Sequence, residues 1–201
     1  MFDKPIKLEG CRLRGLVESD AESIAELADN PEVARRMRNL FPSPYRIQDA
    51  RWFIDHCARG DSVETHLAID VTGRAAGVVG LIPGEAGEVH ARTAEIGDWI
   101  GEPFWGRGIA TQVVSALCRL AFENSDLLRI FATVFEGNTA SCRVLEKAGF
   151  TREGVMRAHV EKGGEILDAP NIDQSSFTYL EQFDSLAGRN AQTTFEQMEW
   201  E

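Results

Sequence analysis

At 201 residues, 43% of them hydrophobic and 26% charged, the chain suits one ordinary globular α/β domain and is too short for two comfortable ones. Its net charge of −11 argues against a nucleic-acid binder, which needs clustered Lys and Arg to neutralise phosphate. No apolar run approaches the ~18–20 residues of a membrane span, and Met1-Phe2-Asp3-Lys4-Pro5 lacks the basic-then-apolar pattern of a secretory leader, so no membrane is expected and the cytoplasm is the default compartment.

Cys11, Cys57, Cys118 and Cys142 are scattered, with no CxxC pair, and His56, His66, His90 and His159 show no ligand spacing. Buried thiols as small hydrophobes are the plain reading, and no metal is expected.

In chain order, Arg12–Val17 reads as a first strand. Ser19 with Glu22 has the spacing of a capping box, opening a helix with Ile24, Leu27 and Ala28 on one face. Asn30 caps a second helix with Pro31 at its first position. After the Pro42-Ser43-Pro44 break, a third helix is expected from Asp49 to about Cys57, with Trp52 and Phe53 as core candidates and Gly60-Asp61 as its end. Thr65–Asp70 and Gly77–Ile82 form a hairpin around Thr72-Gly73, and Thr93–Ile100 is the next strand. Ile109 to Phe122 is an amphipathic helix. A strand over Arg129–Phe135, a helix over Thr139–Ala148, a strand over Arg152–Val160, a hairpin tip at Lys162-Gly163-Gly164 and a last strand over Phe177–Phe183 complete a domain spanning residues 1–184. A polar tail of 185–201 follows.

Between Ile100 and Ile109 lies Gly101-Glu102-Pro103-Phe104-Trp105-Gly106-Arg107-Gly108. A glycine turn opening a helix is a general anion cradle. The first helical N–H groups lack intrahelical partners, the dipole adds positive potential, and glycine lets a ligand approach the backbone. Walker A fails, because Ile109-Ala110 stand where Lys-Ser/Thr is required. The dinucleotide fingerprint fails too: its third glycine would be Thr111, and Pro103 lies between strand and turn.

The run Ala94-Glu95-Ile96-Gly97-Asp98-Trp99-Ile100 through Trp105-Gly106-Arg107-Gly108-Ile109-Ala110-Thr111 resembles the acetyl-CoA motif of the GNAT family of N-acetyltransferases. Asn138-Thr139-Ala140-Ser141 and Val144-Leu145-Glu146-Lys147-Ala148-Gly149-Phe150 resemble that family's second motif. Arg12-Leu13-Arg14 and Asn30-Pro31-Glu32-Val33 are similar to its ribosomal-protein N-terminal acetyltransferase branch. The resemblance covers roughly residues 10 to 168. It implies a strongly bent mixed sheet of six or seven strands flanked by helices, splayed around acetyl-CoA. Gly106, Arg107, Gly108, Ile109, Ala110 and Thr111 then bind the cofactor's pyrophosphate, with Ile100 and Asn138 also at the cofactor. Two positions depart from the family pattern. Trp105 replaces the broader motif's Gln or Arg, and Leu145 replaces a tyrosine proposed to protonate the leaving thiolate.

Acetyl transfer to an amine needs a deprotonated amine, a stabilised oxyanion and a tolerable thiolate. The resemblance puts the base at Glu95. Asp98 is its rival on the opposite face of the strand, and a solvated or ion-paired strand carboxylate is the plain alternative. A backbone N–H near Ile100 is the expected oxyanion donor. Ser141 is the available hydroxyl for the thiolate, although it and Asn138 also suit a helix start. The acceptor is expected to be a peptide N-terminus or a small amine, and the family admits a homodimer. A non-catalytic acyl-CoA sensor on the same fold is the other reading, favoured by Leu145.

Overall fold

The computed structural model describes residues 4–59 and 63–176. Eight strands form one sheet among the described residues: β1 (Ile6–Leu8), β2 (Cys11–Arg14), β3 (Thr65–Val71), β4 (Arg74–Pro83), β5 (Thr93–Ile100), β6 (Arg129–Thr133), β7 (Thr151–Lys162) and β8 (Glu165–Ser175). Their order is β1-β2-β3-β4-β5-β6-β8-β7; β5 and β6 run parallel and every other pair is antiparallel. The helices are α1 (Ala21–Ala28), α2 (Pro31–Ala34), α3 (Ile47–Ala58), α4 (Ile109–Asn124) and α5 (Thr139–Lys147).

Alternation along β3 sets the layers. Leu67, Ile69 and Val71 point to one face, where Val113, Val114 and Leu117 of α4 complete the larger core. Ala68 points to the other, where Ile24 of α1 and Ala50 and Ile54 of α3 pack on small side chains including Ala75. Leu117 is wholly buried, and burying such a side chain contributes about 1.5–3 kcal/mol. The β3–β4 turn places Thr72 and Gly73 both at positive φ (55° and 87°), the geometry of a two-residue hairpin.

Several elements differ from the sequence expectation. The sheet has eight strands rather than six or seven, because the short edge strand β1 pairs with β2. The first core strand is Cys11–Arg14, ending before Gly15. Ser19 does not cap the first helix: the Asp20 carboxylate accepts from the Val17 N–H at 3.0 Å instead, one step along. Asn30 does cap α2, accepting from the Glu32 N–H at 2.7 Å. Trp52 is 66% exposed and not core, since Ala50 and Ile54 occupy the buried side of α3, while Phe53 is half-buried against it. The partner of β7 is Glu165–Ser175, missed because Pro170 interrupts the strand pattern. The strand expected at 177–183, the tail from 185 and the Gly60-Asp61 helix end lie outside the described residues.

Candidate active site

The centre of the site is a gap in the sheet. β5 and β6 pair only from Thr93–Arg129 to Glu95–Phe131, after which β5 runs on to Ile100 with no register to β6. The Gly101 N–H donates to the Ala76 carbonyl and the Thr93 carbonyl accepts from the Gly84 N–H, both at 2.8 Å. Odd-numbered peptide groups of β5 therefore face β4, and those of Ile96, Asp98 and Ile100 face the gap. The Ile100 carbonyl there accepts from Trp105 Nε1 at 2.6 Å.

From the gap the chain enters the glycine turn. Gly106 and Gly108 sit at φ 72° and 75°, and Gly108 is the residue that caps α4. A Cβ on either would meet nothing within 4 Å, so both backbones border open space. The Gln112 N–H makes the bond to the Gly108 carbonyl at 3.2 Å, so the amides of Ile109, Ala110 and Thr111 precede that bond at the positive end of a 16-residue helix. The turn is held by the residues that flank α2. Asn30 Nδ2 donates to Glu102 at 2.6 Å, and the Arg36 guanidinium lies 5.0 Å from the Trp105 ring centre.

Across the gap, α5 begins at Asn138. Its Oδ1 accepts from the Ser141 N–H at 3.3 Å while its Nδ2 donates to Ser141 Oγ at 3.0 Å. Because Oγ already accepts, the Ser141 hydroxyl hydrogen is left to be donated elsewhere. Leu145, one turn on, is buried in the core at 3% exposure and supplies packing where the family's tyrosine supplies an O–H.

Two cavities meet at this point. One, of about 280 Å³, is lined by Ile100, the residues from Phe104 to Thr111 and the first turns of α5. The other, of about 1050 Å³, extends between β5, α3 and the β7–β8 hairpin, with Tyr45, Trp52, Phe53, His56, His66 and Trp99 among its walls. Arg36, Met37, Asp98, Trp99, Asn138 and Ser141 line both.

The structure thus brings Ile100, Gly106, Arg107, Gly108, Ile109, Ala110, Thr111, Asn138 and Ser141 onto one cleft. Glu95 is not on it. That carboxylate lines the larger cavity and is ion-paired with Arg38, which is 60% exposed. Asp98, on the opposite face of β5, keeps some exposed surface, but burial of its carboxyl pushes its pKa up to about 6. Burial also holds the His66 imidazole below its ordinary pKa, against the opposing pull of Glu64. Arg36 and the pairing of Arg38 with Glu95 went unseen in the sequence, since no spacing links residues that the fold brings together over 57 positions.

An open glycine turn, unbonded helix-start amides and a strand gap fit an extended pantetheine with a phosphate end. Among the described residues no group of three or more His, Cys, Asp or Glu is arranged for a metal ion, and no helix is long and apolar enough to cross a membrane.

Residues 11–151 match the family model described as an acetyltransferase (GNAT) domain. The chain is 32% identical over 171 residues to the uncharacterized N-acetyltransferase YoaA of Bacillus subtilis, covering 78% of this chain and 88% of that one. It is 32% identical over 163 residues to YdaF of Bacillus subtilis, whose name assigns it provisionally as a ribosomal N-acetyltransferase (74% and 82% covered). Among solved structures, RimL, a ribosomal L7/L12 α-N-protein acetyltransferase in complex with coenzyme A, superposes with a TM-score of 0.73 at 23% identity, over 86% of this chain and 98% of that one. The chain belongs to the GNAT family and is an acetyl-CoA-dependent N-acetyltransferase.

Proposed function

We propose that this enzyme acetylates the α-amine of a peptide, or a small amine of similar shape, by direct attack on the thioester. The observation that carries this reading is the meeting of two cavities at Asp98, Trp99, Asn138 and Ser141. One cavity suits a phosphate-ended cofactor and the other is roomy enough for a chain end. The name of YdaF supports a peptide acceptor.

When bound, acetyl-CoA supplies an electrophilic carbonyl at the gap. The Ile100 N–H donates to the carbonyl oxygen as charge builds there, a kind of contact whose removal lowers kcat by about 10²–10³. The Ser141 hydroxyl, aligned by Asn138, donates to the departing sulfur; a thiol of pKa near 8.5 needs only modest help. Glu95, beside Arg38 on the acceptor side, draws the ammonium in and passes protons outward through water. The amides of Arg107 to Thr111 hold the pyrophosphate.

The test is incubation with acetyl-CoA and two panels, free-N-terminus peptides and small primary amines, read by thiol release and intact mass. Peptides acetylated at the α-amine are the expected products. Turnover confined to small amines would replace the peptide reading, and tight CoA binding with no turnover on either panel would return the sensor.

A further inference from the structure

β5 carries two carboxylates at the site, and only one is committed. Glu95 is ion-paired with Arg38. Asp98 has no hydrogen-bond or ion-pair partner among the described residues. It lines both cavities, while Glu95 lines only the larger. Asp98 also stands two residues before Ile100, so its peptide group and that of Ile100 face the same gap.

We infer that Asp98 is a catalytic residue that touches the acceptor's ammonium where the two cavities join and takes its first proton. The inference rests on the amine-acceptor reading above. One N–H proton moves to an Asp98 oxygen, leaving a neutral amine whose lone pair forms the new bond to the acetyl carbon. The C–S bond breaks with its electron pair on sulfur, which takes up the amine's second proton through Ser141 or water. Asp98 then returns its proton to solvent, so the net change is ammonium and thioester to amide, thiol and one proton.

The surroundings suit the task. Desolvation brings the Asp98 carboxyl up to about 6, closer to the ~8 of an α-ammonium than an ordinary aspartate would be, which eases the transfer. Behind it, on α4, lies the Cys118 thiol, itself pushed far up by burial and then by the Asp98 charge, so it stays neutral. The charged and titratable groups on the walls it shares are Arg36, Arg107, Arg143 and Lys147 on the cofactor side, and Arg38, Tyr45, Asp49, His56, Glu64, His66, Glu95, His159, Glu161 and Lys162 on the acceptor side.

The experiment compares wild type, Asp98→Asn and Glu95→Gln with acetyl-CoA and a phenylalanyl tripeptide across pH 5.5–9.5. Asp98→Asn is expected to lower kcat/KM about 100-fold at pH 7 and to recover at high pH, where free amine exists without a base. Its KM for acetyl-CoA should stay within about twofold of wild type, because the pyrophosphate cradle is untouched. Glu95→Gln is expected to lower the rate while keeping the acid limb. An Asp98→Asn enzyme with the wild-type rate and acid limb overturns the assignment. Should that variant not fold, carboxyl ¹³C titration of Asp98 in the CoA-saturated wild type decides: a midpoint well above 4 supports it, and one near 4 overturns it. Silence of wild type on every amine would count against the acceptor reading, and the titration would still settle Asp98.

Discussion

Trp105 Nε1 donates to the Ile100 carbonyl at 2.6 Å, which fastens the glycine turn to the last peptide group of β5. The indole stands where the family's broader motif has Gln or Arg and supplies an N–H donor from that position. Trp105→Phe keeps a ring beneath Arg36 but loses the bond. Removing one such hydrogen bond is worth about 0.5–1.5 kcal/mol, so KM for acetyl-CoA should rise roughly twofold to tenfold with little change in melting temperature.

Gly108 caps α4 at φ 75° with open space where a Cβ would go. Gly108→Ala should cost about 1–2 kcal/mol of stability from the left-handed backbone alone. The added methyl also projects toward the space assigned to the pyrophosphate. Calorimetry with CoA should therefore show a loss of affinity beyond the loss of stability seen in urea.

The Asp70 carboxylate is buried at 1% exposure and accepts from Arg14 Nε at 2.6 Å, Arg12 at 3.0 Å and the Gly73 N–H at 2.7 Å. Desolvation alone would raise its pKa, but these donors outweigh it and hold the group below the usual carboxylate range. A depressed folded pKa contributes stability that is present above the unfolded value near 4 and lost as pH falls through the folded one. Asp70→Ala removes the acceptor of Arg14 Nε, of the half-exposed Arg12 and of the Gly73 N–H, while Arg14 keeps its pair with Asp20, and should destabilise by about 1–3 kcal/mol at pH 7, with the difference from wild type shrinking in acid-unfolding curves below pH ~4.

Asp98 has the opposite sign. Its raised folded pKa means that the native state loses stability as pH climbs from the unfolded value near 4 through about 6. Asp98→Asn removes that loss. Urea midpoints should show the variant more stable than wild type by about 3 kcal/mol at pH 8 and level with it near pH 3.5, a gain in stability that accompanies a loss of activity.

Trp52 is 66% exposed on α3 and stacks on His56 at 5.3 Å along the wall of the larger cavity. Trp52→Ala should leave stability within about 0.5 kcal/mol of wild type. Initial rates should show KM for the peptide raised several-fold, while KM for acetyl-CoA does not move.

Trp52 also shows where sequence reading ran out. Its bulk suggested core, but its place on the helix is fixed by Ala50 and Ile54, which face the sheet. Local patterns were legible: Thr93–Ile100 and the Ile109 helix start match β5 and α4 at the residue, because alternation and glycine chemistry are written in neighbouring positions. The glycine turn, Ile100, Asn138 and Ser141 share the cleft for the same reason, each being part of a compact motif. The ion pair of Glu95 with Arg38 and the contact of Arg36 with the Trp105 ring join segments far apart in sequence, and no periodicity encodes them. β8 stayed hidden because Pro170 sits inside a strand whose ladder tolerates it, its carbonyl accepting from the Val134 N–H at 3.2 Å.

The parting of β5 and β6 gives the enzyme two doors. In the proposed reading the pyrophosphate end is served by the glycine turn and α5, and the acceptor end by α3, the residues from Met37 to Tyr45 and the β7–β8 hairpin. Apart from β5, α5 and the residues from Arg36 to Arg38, which reach the junction, these walls are built by different stretches of chain. Acceptor preference is then free to drift without disturbing cofactor affinity, and an alanine scan of the two walls should sort into two independent sets that meet only at the threshold.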